Sequence, residues 1–325
     1  MIRRMVLQSV MVLLAFIALD GSAQPWPSRP VTVVVGFAAG GPTDTVARIL
    51  AERMSRSLGE TVVVENTSGA GGTIAVSRVV RSAPDGYTVF IGHNGPMVIA
   101  PAMQQVAFDV LADLDPVAMV ATNPQIIVSN PSVPAKDLRE LVAWCRANGD
   151  KVSAGTGGPG TPSHISVVYF ANQIGAPVQP IHYKGSAPAM QDAIAGHIQL
   201  GFEQALNALP HIRANKLRPY AVTAKTRLAI APEIPTVDEA GLPGFYMSIW
   251  HAYWVPKGTP RDVVARINAA LRESLADPAV RKRLEDLGQE IPAPDQQSPE
   301  ALRAHHKAEI DKWWPVIKAA NIKAQ

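Results

Sequence analysis

The chain is short of several things, and each shortage closes off a class of protein. It has one cysteine, Cys145, in 325 residues, so no disulfide framework holds it together. Cys145 falls on the apolar stripe of a helix with Leu138, Leu141 and Val142, which reads as a buried structural thiol. None of its eight histidines has HExxH or comparable spacing, so no helix-borne metal site is expected. There is no GxxxxGK followed by Ser or Thr, and no GxSxG, which removes a phosphate-cradling loop and a serine nucleophile elbow. Charge is nearly balanced, with 30 basic side chains against 27 acidic, and the basic ones are scattered without interleaved aromatics. Nucleic acid is therefore not an expected partner. No internal repeat or low-complexity segment interrupts the chain. Beyond residue 23 no apolar run is long enough to cross a bilayer.

What is present begins with a leader. MIRRMVLQSVMVLLAFIALDGSA carries Arg3 and Arg4, an apolar core from Met11 to Leu19, and small residues Gly21 and Ala23 ahead of Gln24. This is the pattern of a secretory signal peptide over 1–23, so the mature protein is expected in the periplasm of a Gram-negative source.

The remainder alternates strand, loop and helix, a rhythm that predicts parallel sheets covered on both faces. Segments 31–35, 61–66, 88–92, 117–122, 125–130, 151–157, 179–183, 198–204, 217–223 and 248–256 read as strands. Helical spacing marks 43–59, 73–83, 135–149, 161–175, 186–197, 209–216, 261–277, 278–288 and 299–320. The break at Asn123-Pro124 and the return near Thr223 suggest two domains. Residues 24–123 plus 224–325 form a discontinuous first domain, and 124–223 an inserted second. The Pro-rich stretch 232–245 reads as surface, as do His305 and His306 in a charged helix.

Three segments share one device: GFAAGGPTD (36–44), GTGGPGTPSH (155–164) and YKGSAPA (183–189). In each, a strand delivers Gly and Ser or Thr to the start of a helix. A helix N-terminus has unpaired N–H groups and a partial positive charge, which suits an anion. In open α/β sheets ligands sit at the carboxyl ends of strands, so two such loops on one side and one on the other would face a cleft. GHNG (92–95) places His93 and Asn94 at another strand end. His93 there is either a structural histidine or one facing the ligand. Asp44 is either a helix cap or a carboxylate facing a ligand donor. Ser163 beside His164 makes no catalytic pair, because adjacent residues on a helix point apart.

GFAAGGPTDTVAR, PDGYTVFIGHNG, GTGGPGTPSH, IHYKGSAPA and PEIPTVDEAGLPGF followed by W…VPKGTP resemble, in order, the receptors of tripartite tricarboxylate transporters, or Bug-type solute-binding proteins. The resemblance runs from about Trp26 to the C-terminus. It implies an α/β, two-lobed periplasmic binding protein, with two doubly wound domains closing on a small organic carboxylate. The ligand would be a di- or tricarboxylate, an acidic amino acid or an aromatic acid. A receptor of this kind is no enzyme and uses no cofactor. It would act as a monomer and hand its ligand to the membrane subunits of the transporter, or report it to a sensor kinase. An exported enzyme acting on a carboxylic acid, with His93 or His164 as base, is the alternative. By resemblance the ligand-binding residues are Phe37, Ala38, Ala39, Thr43 and Asp44 in the first loop, and His93 and Asn94 after the third strand. In the inserted lobe they are Thr156, Gly157, Thr161, Ser163, His164, Lys184, Gly185, Ser186, Ala187 and Gln204. Many members have Asp near that last position and Pro-Pro or Pro-Gly in the first loop. Here Glu203 and Ala38-Ala39 stand there.

Overall fold

The computed structural model describes residues 26–319, and the leader read at 1–23 lies outside them. The first half of the fold is built on β1 (Val31–Val35), β2 (Val62–Asn66) and β3 (Thr88–His93). β1 pairs in parallel with both neighbours. Its residues are apolar without alternation because both faces are covered. Val31, Val33 and Val35 join one core while Val34 joins the other. The first of those cores is closed by α1 (Pro42–Leu58), which presents Val46, Ile49, Leu50 and Met54 at helical spacing. Pro42 starts that helix without the loss of a hydrogen bond, and Gly59 ends it in the left-handed region. α2 (Thr73–Val80) covers the opposite face with Ala75, Val76 and Val79. The chain after β3 forms a π-helical turn, Gly95–Ile99, continued by the short α3 (Ala100–Met103).

β4 (Leu114–Ser129) joins the two halves. The sequence suggests two strands broken at Asn123-Pro124, but the structure has one strand of 16 residues. Its first part pairs antiparallel with β9 (Ser248–Pro256), and its second part with β7 (Leu200–Gln204) and β8 (Arg218–Val222). Pro124 is accommodated where β4 passes from one sheet to the other, opposite Ser248. The next residue is held on its neighbours' behalf. Gln125 N–H donates to Thr223 Oγ1 at 2.9 Å, and Thr223 Oγ1 lies 2.7 Å from the Met247 carbonyl.

The second half adds β5 (Ser153–Thr156) and β6 (Gln179–His182), both parallel, with α4 (Leu138–Asn148), α5 (Pro162–Ile174), α6 (Ser186–Ala195) and α7 (Ala205–Arg213). The full path is β2-β1-β3-β9-β4-β7-β5-β6, with β8 beside β4. Parallel pairing therefore holds away from the crossing, whereas the strands at the crossing are antiparallel. Cys145 is buried in the core as expected, and that burial pushes its thiol up to about 12.

The Pro-rich stretch 232–245, read as surface, exposes Glu233, Asp238 and Pro243 but is anchored in the second half. Ile234 packs in one core with Ile126 and Val128, and Phe245 stands against Phe170 and Phe202 of the second half. Its prolines break regular structure, but four apolar anchors, Ile234, Val237, Leu242 and Phe245, are buried. The last helices, α8 (Arg261–Ala276), α9 (Pro278–Glu285) and α10 (Pro299–Ala319), return to the first half. Here a second surface expectation fails. His306 is 2% exposed, and its Nε2 lies 2.7 Å from the Met97 carbonyl in the π-helical turn. A charged helix still needs one buried face, and His306 is on it with Leu302, Ile310 and Trp313.

Candidate functional site

Two helices begin at the seam between the halves in the same way. α1 has Gly41 as its N-cap and α5 has Thr161, each followed by Pro, and neither N-cap side chain accepts from a first-turn backbone amide. The first-turn amides of Thr43 and Asp44, and of Ser163 and His164, thus point outward unspent. α6 likewise has a glycine N-cap, Gly185, without a side-chain hydrogen bond. Elsewhere Asp137 and Asp277 cap α4 and α9 through their carboxylates.

The first loop is held from behind. Asp44 Oδ2 accepts from Gly40 N–H at 2.8 Å and from Arg48 Nε at 3.0 Å, and Asp44 Oδ1 accepts from Asn66 Nδ2 at 2.9 Å. Asn66 Nδ2 also reaches the Phe37 carbonyl. Burial alone would raise the Asp44 carboxyl, but Arg48, the Gly40 amide and Asn66 hold it below the usual range. Asp44 is thus neither a cap nor free for a ligand: both oxygens are occupied in shaping residues 37–41. Ala38 and Ala39 are exposed on the resulting turn.

The inserted half presents a hydroxyl-rich turn. Ser163 Oγ accepts from Gly157 N–H at 2.9 Å, and Thr161 Oγ1 donates to the Gly158 carbonyl at 2.7 Å. Thr156 Oγ1 lies 2.7 Å from His182 Nδ1. Gly157 stands next to Gly185 and Ser186, so the second and third loops form one surface. Lys184 and Ala187 are on its exposed rim.

Four imidazoles line the seam. His93 Nδ1 accepts from Gly95 N–H at 2.9 Å, which leaves its proton on Nε2, and the ring stacks on Phe37 with centroids 4.5 Å apart. His251 is the register partner of His93 and lies 3.2 Å from Thr43 Oγ1. His164 and His182 meet edge to face at 4.6 Å. Burial, with His251 beside it, holds His93 well below the ordinary imidazole value. Burial lowers His251 to about 4, and burial with His182 nearby lowers His164 to about 4. All three are neutral at physiological pH, and so act as hydrogen-bonding groups without charge.

The halves touch around these groups. A Cβ at Gly71 would lie 2.7 Å from the Pro159 carbonyl, and one at Gly160 would lie 3.0 Å from Ala100 Cβ. A Cβ at Gly95 would sit between the His93 ring and Pro162 at the start of α5. The residues expected from sequence therefore gather at one seam, from Phe37, Thr43, His93 and Asn94 on one side to Thr156, Gly157, Thr161, Ser163 and His164 on the other. Gln204 reaches it at the end of β7. Sequence reasoning missed His182, His251, Asn66, Asn123 and Gln289. His251 carried a signal, as a lone histidine within an apolar strand that also holds two tryptophans. The SGAGG loop, 68–72, which precedes α2, supplies Gly71 to the contact between the halves.

A family model described as tripartite tricarboxylate transporter family receptor matches residues 46–322. The structure of the periplasmic binding protein BugD is similar at 39% identity and a TM-score of 0.86, covering 92% of this chain and 100% of that one. MatC from Rhodopseudomonas palustris, solved with bound malate, gives 37% identity and a TM-score of 0.85 over 90% of this chain and 100% of its own. A second R. palustris protein, solved with adipate, gives 32% identity and a TM-score of 0.86 over 92% and 99%. The α/β, two-lobed architecture implied by the sequence is the one found.

Proposed function

The chain belongs to the tripartite tricarboxylate transporter receptor family, and from that premise we propose that it captures a small dicarboxylate between its lobes and presents it to the transporter's membrane subunits. The observation that carries this reading is the pair of uncapped helix starts at Gly41-Pro42 and Thr161-Pro162, which bring unspent N–H groups to one seam. Each favours one carboxylate through its aligned amides and partial charge. The surrounding imidazoles are neutral and the loops carry hydroxyls, so the site binds by hydrogen bonds rather than by a cationic clamp. The relatives solved with malate and adipate fit that chemistry.

In this reading Thr43, His93, Thr161 and Ser163 frame the carboxylates, and Lys184 stays on the rim. The lobes divide at Asn123-Pro124 and again near Met247-Ser248. The leader sends the protein to the periplasm, where it acts as a receptor and performs no turnover. Calorimetric titration with malate, succinate and adipate tests it. The expected result is saturable one-to-one binding of at least one acid, with the acid recovered unchanged by NMR. Absence of binding to all three, or conversion of the bound acid, overturns the reading.

A further inference from the structure

The edge of the first sheet nearest the second lobe carries buried polar groups that carboxylate binding leaves unused. His251 pairs with Ala121 of β4, and Asn123 lies two residues further on the same face. Asn123 Nδ2 donates to the Gly288 carbonyl at 3.0 Å, which fixes the direction of its amide. Thr122 and Glu290 exchange backbone hydrogen bonds of 2.8 and 2.7 Å, so Gln289 is set beside Asn123. From the other lobe, Gln204 ends β7, and the following residue, Ala205, packs on Gly288: a Cβ there would lie 2.6 Å from Ala205 Cβ. Asn123, Gln289 and Gln204, from three separate passages of chain, thus each stand on or next to the contact of Asn123 with Gly288 and of Gly288 with Ala205.

They are 0, 8 and 1% exposed for Asn123, Gln204 and Gln289. Asn123 Oδ1, Gln204 Oε1 and both polar atoms of the Gln289 amide have no hydrogen-bond partner in the protein, and neither has His251 Nδ1. Folded proteins rarely leave so many buried polar atoms unmatched in one place. The three amides offer three acceptor oxygens and one amide donor, and His251 Nδ1 adds a ring nitrogen whose role follows its tautomer. A carboxylate would be repelled by the oxygens. An ammonium would suit them but would bring an uncompensated charge, since Glu203 points to the opposite face of β7 toward Asn207. A hydroxyl both donates and accepts, and meets the set on both counts.

We infer that Asn123, Gln204 and Gln289 form a subsite for the hydroxyl group of a hydroxy-dicarboxylate whose carboxylates are held at the helix starts. This rests on the dicarboxylate reading above. A site built to hydrogen-bond a hydroxyl rejects the analogue that lacks it, because its own polar groups are then left unpaired.

Calorimetric titration of the full mature chain with malate, succinate and aspartate tests the subsite. The wild type binds malate at least about tenfold more tightly than succinate. Gln289→Leu and Gln204→Leu each bring that ratio close to one, because malate affinity falls by more than succinate affinity. If the amides only hold structural water, both variants lose malate and succinate in equal proportion and the ratio survives, which overturns the inference. Equal wild-type affinity for malate and succinate, or tighter binding of aspartate than of malate, also overturns it. A wild type that takes up none of these acids fails the dicarboxylate reading itself, and the subsite with it. Should Gln289→Leu not fold, Gln204→Leu, from the other lobe, makes the same comparison.

Discussion

Asp44 and Glu203 are both buried carboxyls at strand–helix junctions, yet their surroundings act in opposite directions. Asp44 is met by Arg48, Gly40 N–H and Asn66, and stays ionised. Glu203 has only Asn207 Nδ2 at 3.4 Å and the Ser186 hydroxyl, and burial pushes it up to about 7. The native state therefore keeps a proton that the unfolded chain has released between its ordinary carboxyl range and neutrality. Stability contributed by this group is present in acid and is lost as pH rises through that window. Glu203→Gln imitates the protonated form. It should raise stability by roughly 2–3 kcal/mol at pH 8 and change it little at pH 4. Denaturant titrations at the two pH values check this, and equal effects at both would show that the carboxyl is not held neutral.

At the scale of elements, the contact between lobes runs through short glycine turns. Gly71 has φ +65°, and a methyl group added there would press on the Pro159 carbonyl of the opposite lobe. Gly71→Ala should cost about 1 kcal/mol of stability without ligand, the price of a left-handed alanine. Its larger effect falls on closure: affinity for the bound acid should drop at least about tenfold, since 1.4 kcal/mol of blocked contact already gives that factor. Calorimetry of the variant with the acid that the wild type binds reads both effects. An unchanged affinity would place the ligand away from this contact. The helix starts behind such turns were legible in the sequence, because Pro42 and Pro162 after Gly or Thr mark an N-terminus by local chemistry. β4 was not, because Asn123-Pro124 is a local breaker whose effect is overridden by pairing to β9 and to Thr223. The buried face of α10 was hidden by its charges, since His306 is fixed by Met97, which is far away in the chain.

Across the whole molecule, the ordering of motifs was enough to give the family and the two-lobed α/β fold; of the residues named from sequence, Phe37, Thr43, His93, Thr161, Ser163 and His164 lie at the seam, while Ala38, Ala39, Lys184 and Ala187 are exposed and Asp44 shapes its own loop. Asn123 and Gln289 could not have been named. Neither lies in a motif, and they meet only because residues 165 apart, Asn123 and Gly288, are hydrogen-bonded. The buried face of 232–245 was hidden for the same reason: Phe245 is anchored by Phe170 and Phe202, which no nearby residue announces.

β4 runs unbroken through both sheets, and one apolar core includes Phe90 and Trp254 from the first lobe with Phe170, Phe202 and Phe245 from the second. Neither half can melt without stripping a strand and a wall of core from the other. Proteins of two domains commonly lose them in separate steps, but here the heat-absorption profile should show one peak, with calorimetric and van't Hoff enthalpies in agreement. The amide protons of Gln125, Thr223 and Met247, tied together at the crossing, should exchange with solvent only as the entire chain comes apart, so their protection measures global stability rather than the opening of a lobe.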